Sequence, residues 1–530
     1  MKKFSKIALS FILVLAISTS LFLIGFADSD DSYEGYIPIS SITDLYNIRN
    51  DLDGKYVLTK DIDLLNFLSV GFYTPFEGWS PTNTWVPIGT MDEPFTGILD
   101  GNGHCIENLI INIDDTDFIE ECWLGLFGVI VDAEVKNIEI KNIDINIDYP
   151  YEVSCPTGAV SGLSCDSEIL NCKTSGNINA VLGGGFDIGG IVGRMYATEK
   201  PISIDYSYVK DCFSSVNITI VGKDEGMISY PIAYRTNVGG IVGSAYENCK
   251  IYSSYFYGNI NATPLTSGRI GGILGIGLYN APVIDCGNIG SVKANGIGMA
   301  FVGGICGESH TVKNCFNAGT LETTNNEYSK IGGIAGKTEF IADEESKKHF
   351  NAVDAEIKNC YFLNSIEIAT SNENEGTITS TRALTDEEMR NQESFVGFDF
   401  NYVWSMSENG YPIPIKKTVS ENESIEIISC EITDVPFKNS ICTSENISPE
   451  GISIKLIYSN NSEVTHKVTC EEGRYYVSGE EVTVSVENNR AFGIVKVNLS
   501  LLDTDATYRC FVFPSIFSII IDAIVSIFNR

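Results

Sequence analysis

The stretch that decides the fold is Gly189-Gly190-Ile191-Val192-Gly193, because the chain repeats this pattern four more times. The further copies start at Gly239, Gly271, Gly303 and Gly332. Two degenerate members start at Gly125 and Gly158, so successive copies begin 33, 31, 50, 32, 32 and 29 residues apart. A period near 31 residues with one long insertion is typical of a solenoid, in which each repeat stacks on its neighbours and shares their core.

A second element follows each glycine motif, a short apolar stretch that ends in a small residue. That small residue is Cys172, Cys212, Ser254, Cys286, Cys315 or Cys360. Stacked coils lie about 4.8 Å apart, so equivalent side chains lie directly on one another. Cysteine behaves in such an interior as a small hydrophobic residue. We therefore expect an inward ladder of free thiols, with disulfides inside the ladder as the alternative.

The glycines are expected to be structural. Glycine supplies positive φ and allows close backbone approach, and both are useful where a coil turns from one face to the next. A phosphate-binding loop is excluded because no helical pattern follows the glycines and no Gly-Lys-Ser/Thr occurs.

These units resemble the GLUG-motif repeats of bacterial surface and secreted proteins, over residues 125 to 365. The stretch from Phe95 through Asp100-Gly101-Asn102-Gly103-His104 is similar to the lead-in of such proteins. The resemblance implies an all-β fold, a right-handed parallel β-helix. Short capping helices, a small β-sandwich and a C-terminal amphipathic helix complete the expected architecture.

The sequence predicts six segments. They are a signal peptide at 1–27, an N-terminal cap with the first coils at 28–124, the repeat β-helix at 125–378, a capping helix with a closing strand at 379–417, an Ig-like sandwich at 418–513, and an amphipathic helix at 514–530. The signal peptide rests on Lys2 and Lys3, the apolar run after them and small residues before a cleavage site after Ala27. An uncleaved membrane anchor is the alternative.

Both ends of a solenoid must be covered, because the terminal coils expose unpaired strands. Leu45, Ile48 and Leu52 have helical spacing and predict a short helix over the first coil. Thr385-Asp386-Glu387-Glu388 is a capping-box pattern that predicts a helix through about Phe395. Gly410 to Pro414 would then form the closing strand, and both helices are expected to lie over the core.

The last part of the chain changes in character. Period-two strands after Thr418 predict a separate all-β module, and Tyr458-Ser459-Asn460-Asn461-Ser462 weakly resembles a strand turn of bacterial Ig-like domains. Four cysteines could form two bridges there, namely Cys430, Cys442, Cys470 and Cys510. The polar stripe in 514–530 predicts a helix of about 24 Å, too short to span a bilayer. Packing on the module, self-association and membrane-surface docking remain open for it.

The net charge of −34 excludes most anionic partners, nucleic acid first among them. Excess carboxylates keep an exported protein soluble, and Ca²⁺ binding is the sharper alternative. No calcium-loop pattern occurs. Asp61 with Asp63, and Asp28 with Asp30 and Asp31, are acidic clusters only. No cofactor is predicted.

No catalytic or metal-ligating residue is assigned from the sequence. The four histidines form no His-Glu-x-x-His, and Asp100 with His104 lie in a turn sequence. We interpret a further set as solvent-facing strand positions, namely Asp205, Asp211, Asp285, Lys210 and Lys313.

The sequence favours a non-catalytic, secreted or surface-associated scaffold that binds glycans or proteins like an adhesin. Its contacts would lie on the side faces and in insertions near 198–205, 221–235 and 339–354. The alternative is a polysaccharide lyase or glycoside hydrolase on a β-helix. Aromatic residues on the coils could serve either function, namely Tyr206, Tyr208, Tyr255 and Tyr257.

Overall fold

The computed structural model divides the chain into two units, Met1–Lys416 and Lys417–Arg530. It describes residues 33–415 except 66–83, 115–121, 150–153, 184, 199–206, 223–234, 247, 265–266, 279–280, 296–298, 325–328, 339–354, 372–376 and 402. Beyond residue 426 it describes the backbone of the strands named below. The predicted signal peptide, the helix at 514–530, Asp205 and Tyr206 lie outside the described residues.

One coil of the first unit consists of four strands: Phe186–Gly189, Val192–Tyr196, Ser207–Lys210 and Phe213–Gly222. Each strand pairs in parallel with its equivalents in the coils before and after it. The coils therefore build four parallel sheets that run along the stack. This arrangement confirms the predicted parallel β-helix.

We number the sheets in the order in which this coil passes through them. In the described part, sheet 1 comprises Thr157–Gly158, Phe186–Gly189, Arg235–Gly239, Ser267–Gly271, Met299–Gly303 and Lys330–Gly332. Sheet 2 comprises Phe127–Val131, Ser161–Cys165, Val192–Tyr196, Val242–Ala245, Leu274–Gly277, Cys306–Ser309 and Ala335–Thr338.

The other two sheets begin earlier in the chain. Sheet 3 comprises Ile37–Ile39, Lys55–Leu58, Ile98–Asp100, Glu134–Lys136, Glu168–Leu170, Ser207–Lys210, Cys249–Tyr252, Val283–Ile284, Thr311–Lys313, Glu356–Lys358 and Thr377–Thr379. Sheet 4 comprises Ile62–Asp63, Cys105–Glu107, Ile110–Ile113, Glu139–Tyr149, Lys173–Leu182, Phe213–Gly222, Tyr255–Phe256, Asn259–Thr263, Gly287–Asn288, Ser291–Ala294, Phe316–Asn317, Leu321–Thr323, Tyr361–Leu363 and Arg382–Leu384.

The core is a set of ladders, because equivalent inward residues lie in register. The isoleucines of the glycine motifs are completely buried, namely Ile191, Ile241, Ile273, Ile305 and Ile334. The predicted small-residue ladder is also completely buried, and its cysteines are free thiols: Cys172, Cys212, Cys286, Cys315 and Cys360. Burial raises the pKa of the Cys212 and Cys315 thiols, which keeps them protonated.

The glycine motifs connect sheet 1 to sheet 2, but the prediction that they supply positive φ is wrong. None of them has positive φ; the left-handed residues are mostly Asn and Asp, including Asn171, Asp211 and Asn314. Close backbone approach explains the glycines instead. A Cβ on Gly303 would lie 1.8 Å from the Cys306 carbonyl oxygen.

The N-terminal cap matches its prediction. Helix α1 spans Ile42–Asn47, a 3-10 turn spans Ile48–Asn50, and the Ser41 side chain accepts a hydrogen bond from the Asp44 N–H. Leu45 and Ile48 are completely buried in the main core.

The C-terminal segment forms differently from the prediction. Helix α2 spans only Asp386–Met389, although the capping box of Thr385 and Glu388 is present, and a 3-10 turn spans Gln392–Ser394. Trp404–Met406 and Pro412–Pro414 pair antiparallel with each other rather than extending the stack. We call residues 385–415 the strap.

A disulfide joins Cys122 to Cys155 on neighbouring coils, with their Cα atoms 4.7 Å apart. Nothing in the sequence distinguishes this pair from the other cysteines.

The described strands of the second unit form three small sheets. Ile427–Asp434, Ser453–Tyr458 and Glu463–Lys467 form one antiparallel sheet. Ile441–Thr443, Thr483–Glu487, Gly493–Leu501 and Thr504–Phe513 form a second, and Thr469–Glu471, Arg474–Val477 and Glu480–Glu481 form a third. The described part of this unit is thus all-β. The proposed bridges among its four cysteines concern side chains outside the described part.

Candidate functional site

Asp100 and His104 do not form a pair. The Asp100 carboxylate is buried and accepts hydrogen bonds from the Asn102 N–H at 2.8 Å and from Asn137 Nδ2 at 3.1 Å. His104 instead lies 3.1 Å from the Asp61 carboxylate. Asp100 therefore stabilises the β-turn that follows it, rather than acting with His104.

Asp211 and Asp285 are not solvent-facing strand positions, which corrects the sequence interpretation. Both are left-handed corner residues, each directly before an inward cysteine. Asn and Asp tolerate this conformation because their short side chains bond locally. Lys210 is exposed at a strand end, and Lys313 forms an ion pair with Glu356 at 2.8 Å.

The residue after the inward cysteine or serine points outward from sheet 4 and, from Phe213 onward, forms an aromatic column. Its members in register are Phe213, Tyr255, Gly287, Phe316 and Tyr361. Gly287 leaves room for its neighbours, since a Cβ there would lie 2.5 Å from the Phe316 ring and 2.8 Å from the Tyr255 ring. Tyr255 is 3% exposed, which makes it unavailable as the exposed aromatic that the sequence suggested.

The strap covers this column and makes a second apolar cluster, separate from the main core. Phe395 lies 6.0 Å from Phe316 and 5.1 Å from Tyr361, and Trp404 lies 5.7 Å from Phe316, between ring centroids. The Tyr361 hydroxyl donates to the Val396 carbonyl at 2.7 Å. The expectation of a lid over the core is therefore wrong: the strap lies along the side of the stack.

Asp285 is largely enclosed where the strap meets the coils. Its carboxylate accepts a hydrogen bond from Asn314 Nδ2 at 3.0 Å. Burial, with a smaller contribution from the nearby Asp399 carboxylate on the strap, raises the pKa of Asp285 to about 6. The Asn314 hydrogen bond and the nearby Trp404 indole oppose that shift, although Trp404 Nε1 has no hydrogen-bond geometry to a described residue.

Beyond the strap, the outer surface of sheet 4 carries three polar columns that we call the amide face. The first column is Asp144, Asn177, Asn217, Asn259 and Ser291. The second is Asn112, Asn146, Asn179, Thr219, Asn261 and Lys293, and the third is Asp114, Asp148, Val181, Val221 and Thr263. Tyr257, which is 50% exposed, lies two residues before Asn259 at the border of the face.

The asparagines of the amide face bond to one another from coil to coil. In the second column Asn146 Nδ2 donates to Asn112 Oδ1 at 3.2 Å, and Asn179 Nδ2 donates to Asn146 Oδ1 at 3.0 Å. In the first column Asn259 Nδ2 donates to Asn217 Oδ1 at 2.8 Å. Each amide has two donors and two acceptor lone pairs, so part of this capacity remains available after one bond of each kind.

A shallow depression of about 360 Å³ lies between the second and third columns. Its lining combines amides and two carboxylates with aliphatic residues. The lining includes Asn112, Asn146, Asn179, Asp114, Asp148, Val181 and Val221. Such a mixture of aliphatic surface and neutral hydrogen-bonding groups is suited to an organic ligand with polar substituents.

A charged seam joins sheets 1 and 2 on another side of the stack. Burial opposes ionisation of Glu308, but Arg269 Nε and Lys337 Nζ, each 2.9 Å away, hold the pKa of Glu308 below its usual range. Arg194 likewise pairs with the buried Asp187. Because these charges are paired and mostly buried, we assign the seam a structural role: it holds sheets 1 and 2 together.

Two further features concern the described residues alone. No three side chains among His, Cys, Asp and Glu gather closely enough there to hold a metal ion. Nor is any helix in that part of the chain long and apolar enough to cross a membrane.

Comparison with known proteins gives two partial likenesses. The chain is 28% identical over 199 residues to a protein of Evansella cellulosilytica that carries the name Gly-rich membrane protein. It is 30% identical over 162 residues to halomucin of Haloquadratum walsbyi. The alignments cover 32% and 29% of this chain, but only 21% and 2% of those proteins. No protein-family model matches the chain.

Proposed function

We propose that this chain is an exported, non-catalytic surface protein of the GLUG-repeat kind, which binds extracellular glycans or proteins through the side of its β-helix. The observation that carries the proposal is the amide face, a row of solvent-facing polar side chains held in place by bonds between coils. Preorganised side chains lose little conformational entropy on binding. The names of the two partial relatives, a membrane protein and halomucin, agree with a place at the cell surface.

The experiment uses the purified chain on a panel of immobilised glycans and extracellular proteins. Binding is expected for at least one partner, and it should weaken when Asn217→Ala and Asn259→Ala are combined. The matched control combines Thr377→Ala and Thr379→Ala, two exposed positions on sheet 3. Binding that both double variants lose equally would contradict a role for the amide face.

A carbohydrate-active enzyme is the second candidate, because the same depression is lined by Asp114, which directly follows strand Ile110–Ile113, and by Asp148 on the neighbouring strand. Adjacent strands lie about 4.8 Å apart, close to the roughly 5 Å that separates the two carboxyl groups of retaining glycosidases. The glycan panel is therefore also assayed for new reducing ends and for unsaturated sugars. Turnover that Asp148→Asn abolishes would replace the scaffold proposal with the enzymatic one.

A further inference from the structure

We propose that the amide face takes a neutral, hydroxyl-rich polysaccharide that lies along the columns, parallel to the axis of the stack. This inference rests on the proposed function and names its ligand class. It starts from the chemistry that the face leaves available to solvent. Asn179 and Asn217 are exposed, and each has an amide that both donates and accepts.

Amides favour partners that, like them, both donate and accept hydrogen bonds. A sugar hydroxyl carries one donor and two acceptor lone pairs, so it can accept from one asparagine and donate to the next. A phosphate or carboxylate only accepts, and an ammonium group only donates. A run of amides such as Asn112, Asn146 and Asn179 therefore fits hydroxyl groups better than it fits either kind of ion.

The charges of the face also exclude anionic chains. The three columns contain three carboxylates, Asp114, Asp144 and Asp148, and one cation, Lys293. Lys293 is paired with Glu322 at 3.1 Å. A uronic-acid or sulfated polymer would meet this negative patch on a chain whose net charge is already −34.

A peptide strand is a poorer occupant, although its backbone also donates and accepts. Extended peptides bind by adding a strand to a free sheet edge. Strands Lys173–Leu182 and Phe213–Gly222, at the centre of the amide face, are paired on both sides, so the face offers side chains but no free edge.

The remaining features fit a ring-shaped ligand. Val181 and Val221 give the depression an aliphatic surface, and Val221 is 43% exposed. Tyr257 presents an exposed aromatic ring at the border of the columns. Apolar surfaces of this kind suit the C–H faces of sugar rings, while the amides contact the hydroxyl groups at the ring edges.

The direction follows from the repeat. Equivalent residues recur at every coil, about 4.8 Å apart, so a second column of six members from Asn112 to Lys293 extends about 24 Å. A ligand along the columns meets the same chemistry at each step. Affinity should therefore rise with oligosaccharide length until the columns are covered.

The test measures binding of the whole chain by calorimetry to neutral glucan, mannan and xylan oligosaccharides of increasing length. Polygalacturonate and hyaluronate serve as anionic comparisons. We expect binding of a neutral series that strengthens with length and changes little with salt. Combining Asn146→Ala and Asn179→Ala should weaken it roughly ten-fold, because two neutral hydrogen bonds are lost. The Thr377→Ala and Thr379→Ala control should bind like the original chain.

The other outcomes overturn the inference in distinguishable ways. If only the anionic polymers bind, and their binding weakens with salt, then the ligand class is anionic and not neutral. If neutral oligosaccharides bind equally well to the double asparagine variant, then their binding site does not lie on the amide face. Capture of a protein partner through the amide face, with no glycan bound, would overturn this inference and leave the proposed function standing.

Discussion

Replacing Asp285 by Asn should stabilise the first unit at neutral pH and leave it nearly unchanged at pH 4. Asp285 is mostly buried between the coils and the strap, with Asp399 nearby and Asn314 as its hydrogen-bond donor. Folding raises its pKa from 3.8 to about 6. Ionisation in the folded state is therefore unfavourable, and asparagine keeps the shape and the acceptor oxygen without the charge.

The magnitude follows from linkage. A rise of about two pKa units corresponds to about 3 kcal/mol at 1.36 kcal/mol per unit. Because the folded-state pKa is the higher one, the folded state binds the proton more tightly than the unfolded state. The stability of the original chain should thus fall as pH rises from about 4 to about 6, and stay lower above that. Asp285→Asn should remove this fall.

The assay is urea unfolding of both proteins at pH 4 and at pH 8, followed by circular dichroism. Asp211→Asn is the matched control, because it places asparagine at the equivalent left-handed corner two coils earlier. Asparagine favours that conformation, and any gain from this preference should be the same at both pH values. A stabilisation by Asp285→Asn that is equal at pH 4 and pH 8 would refute the electrostatic reasoning.

Three further predictions concern the stack itself. Gly303→Ala should destabilise the first unit by about 3 kcal/mol, since the new Cβ overlaps the Cys306 carbonyl. Gly268→Ala is the control and should cost less in the same urea titration, because a Cβ there meets only side-chain atoms, of Pro264 and Ile270, at 3.0 Å or more. Replacing both Cys122 and Cys155 by Ser should cost about 3 to 4 kcal/mol on the chain-entropy estimate for a loop of 33 residues, and an unchanged unfolding midpoint would contradict it. The thiols of Cys172, Cys212, Cys286, Cys315 and Cys360 should resist an aromatic disulfide reagent in the folded chain and react on unfolding, because they are fully buried.

The repeat could be predicted from the sequence because its period is a direct consequence of stacking. The glycine motifs mark the corner between sheets 1 and 2, and the recurring small residue lies inward, as predicted. The assignment of positive φ to the glycines was wrong because the left-handed residues lie at other corners of the coil. Asn171, Asp211 and Asn314 form the corner between sheets 3 and 4, and their position directly before the inward cysteine was the signal.

The sequence also contained a signal for the amide face, because outward asparagines alternate with inward apolar residues. Asn177-Ile178-Asn179 and Asn259-Ile260-Asn261 show this alternation directly. The register that aligns these asparagines from coil to coil could not be predicted from one sequence, because it depends on the length of each insertion. The disulfide escaped prediction for the same reason, since only the stacked coils bring Cys122 and Cys155 together.

The strap determines which part of sheet 4 remains exposed. Phe213, Tyr255, Phe316 and Tyr361 would form a continuous apolar strip if they were open to water, and such strips promote association. The strap covers this strip with Phe395, Phe398 and Trp404. The strands then continue past the covered column into Asn217 and Asn259, which remain exposed. Because both columns follow from one register, the side that the strap covers and the side that carries the proposed binding surface are fixed together, and Tyr257 marks the border between them.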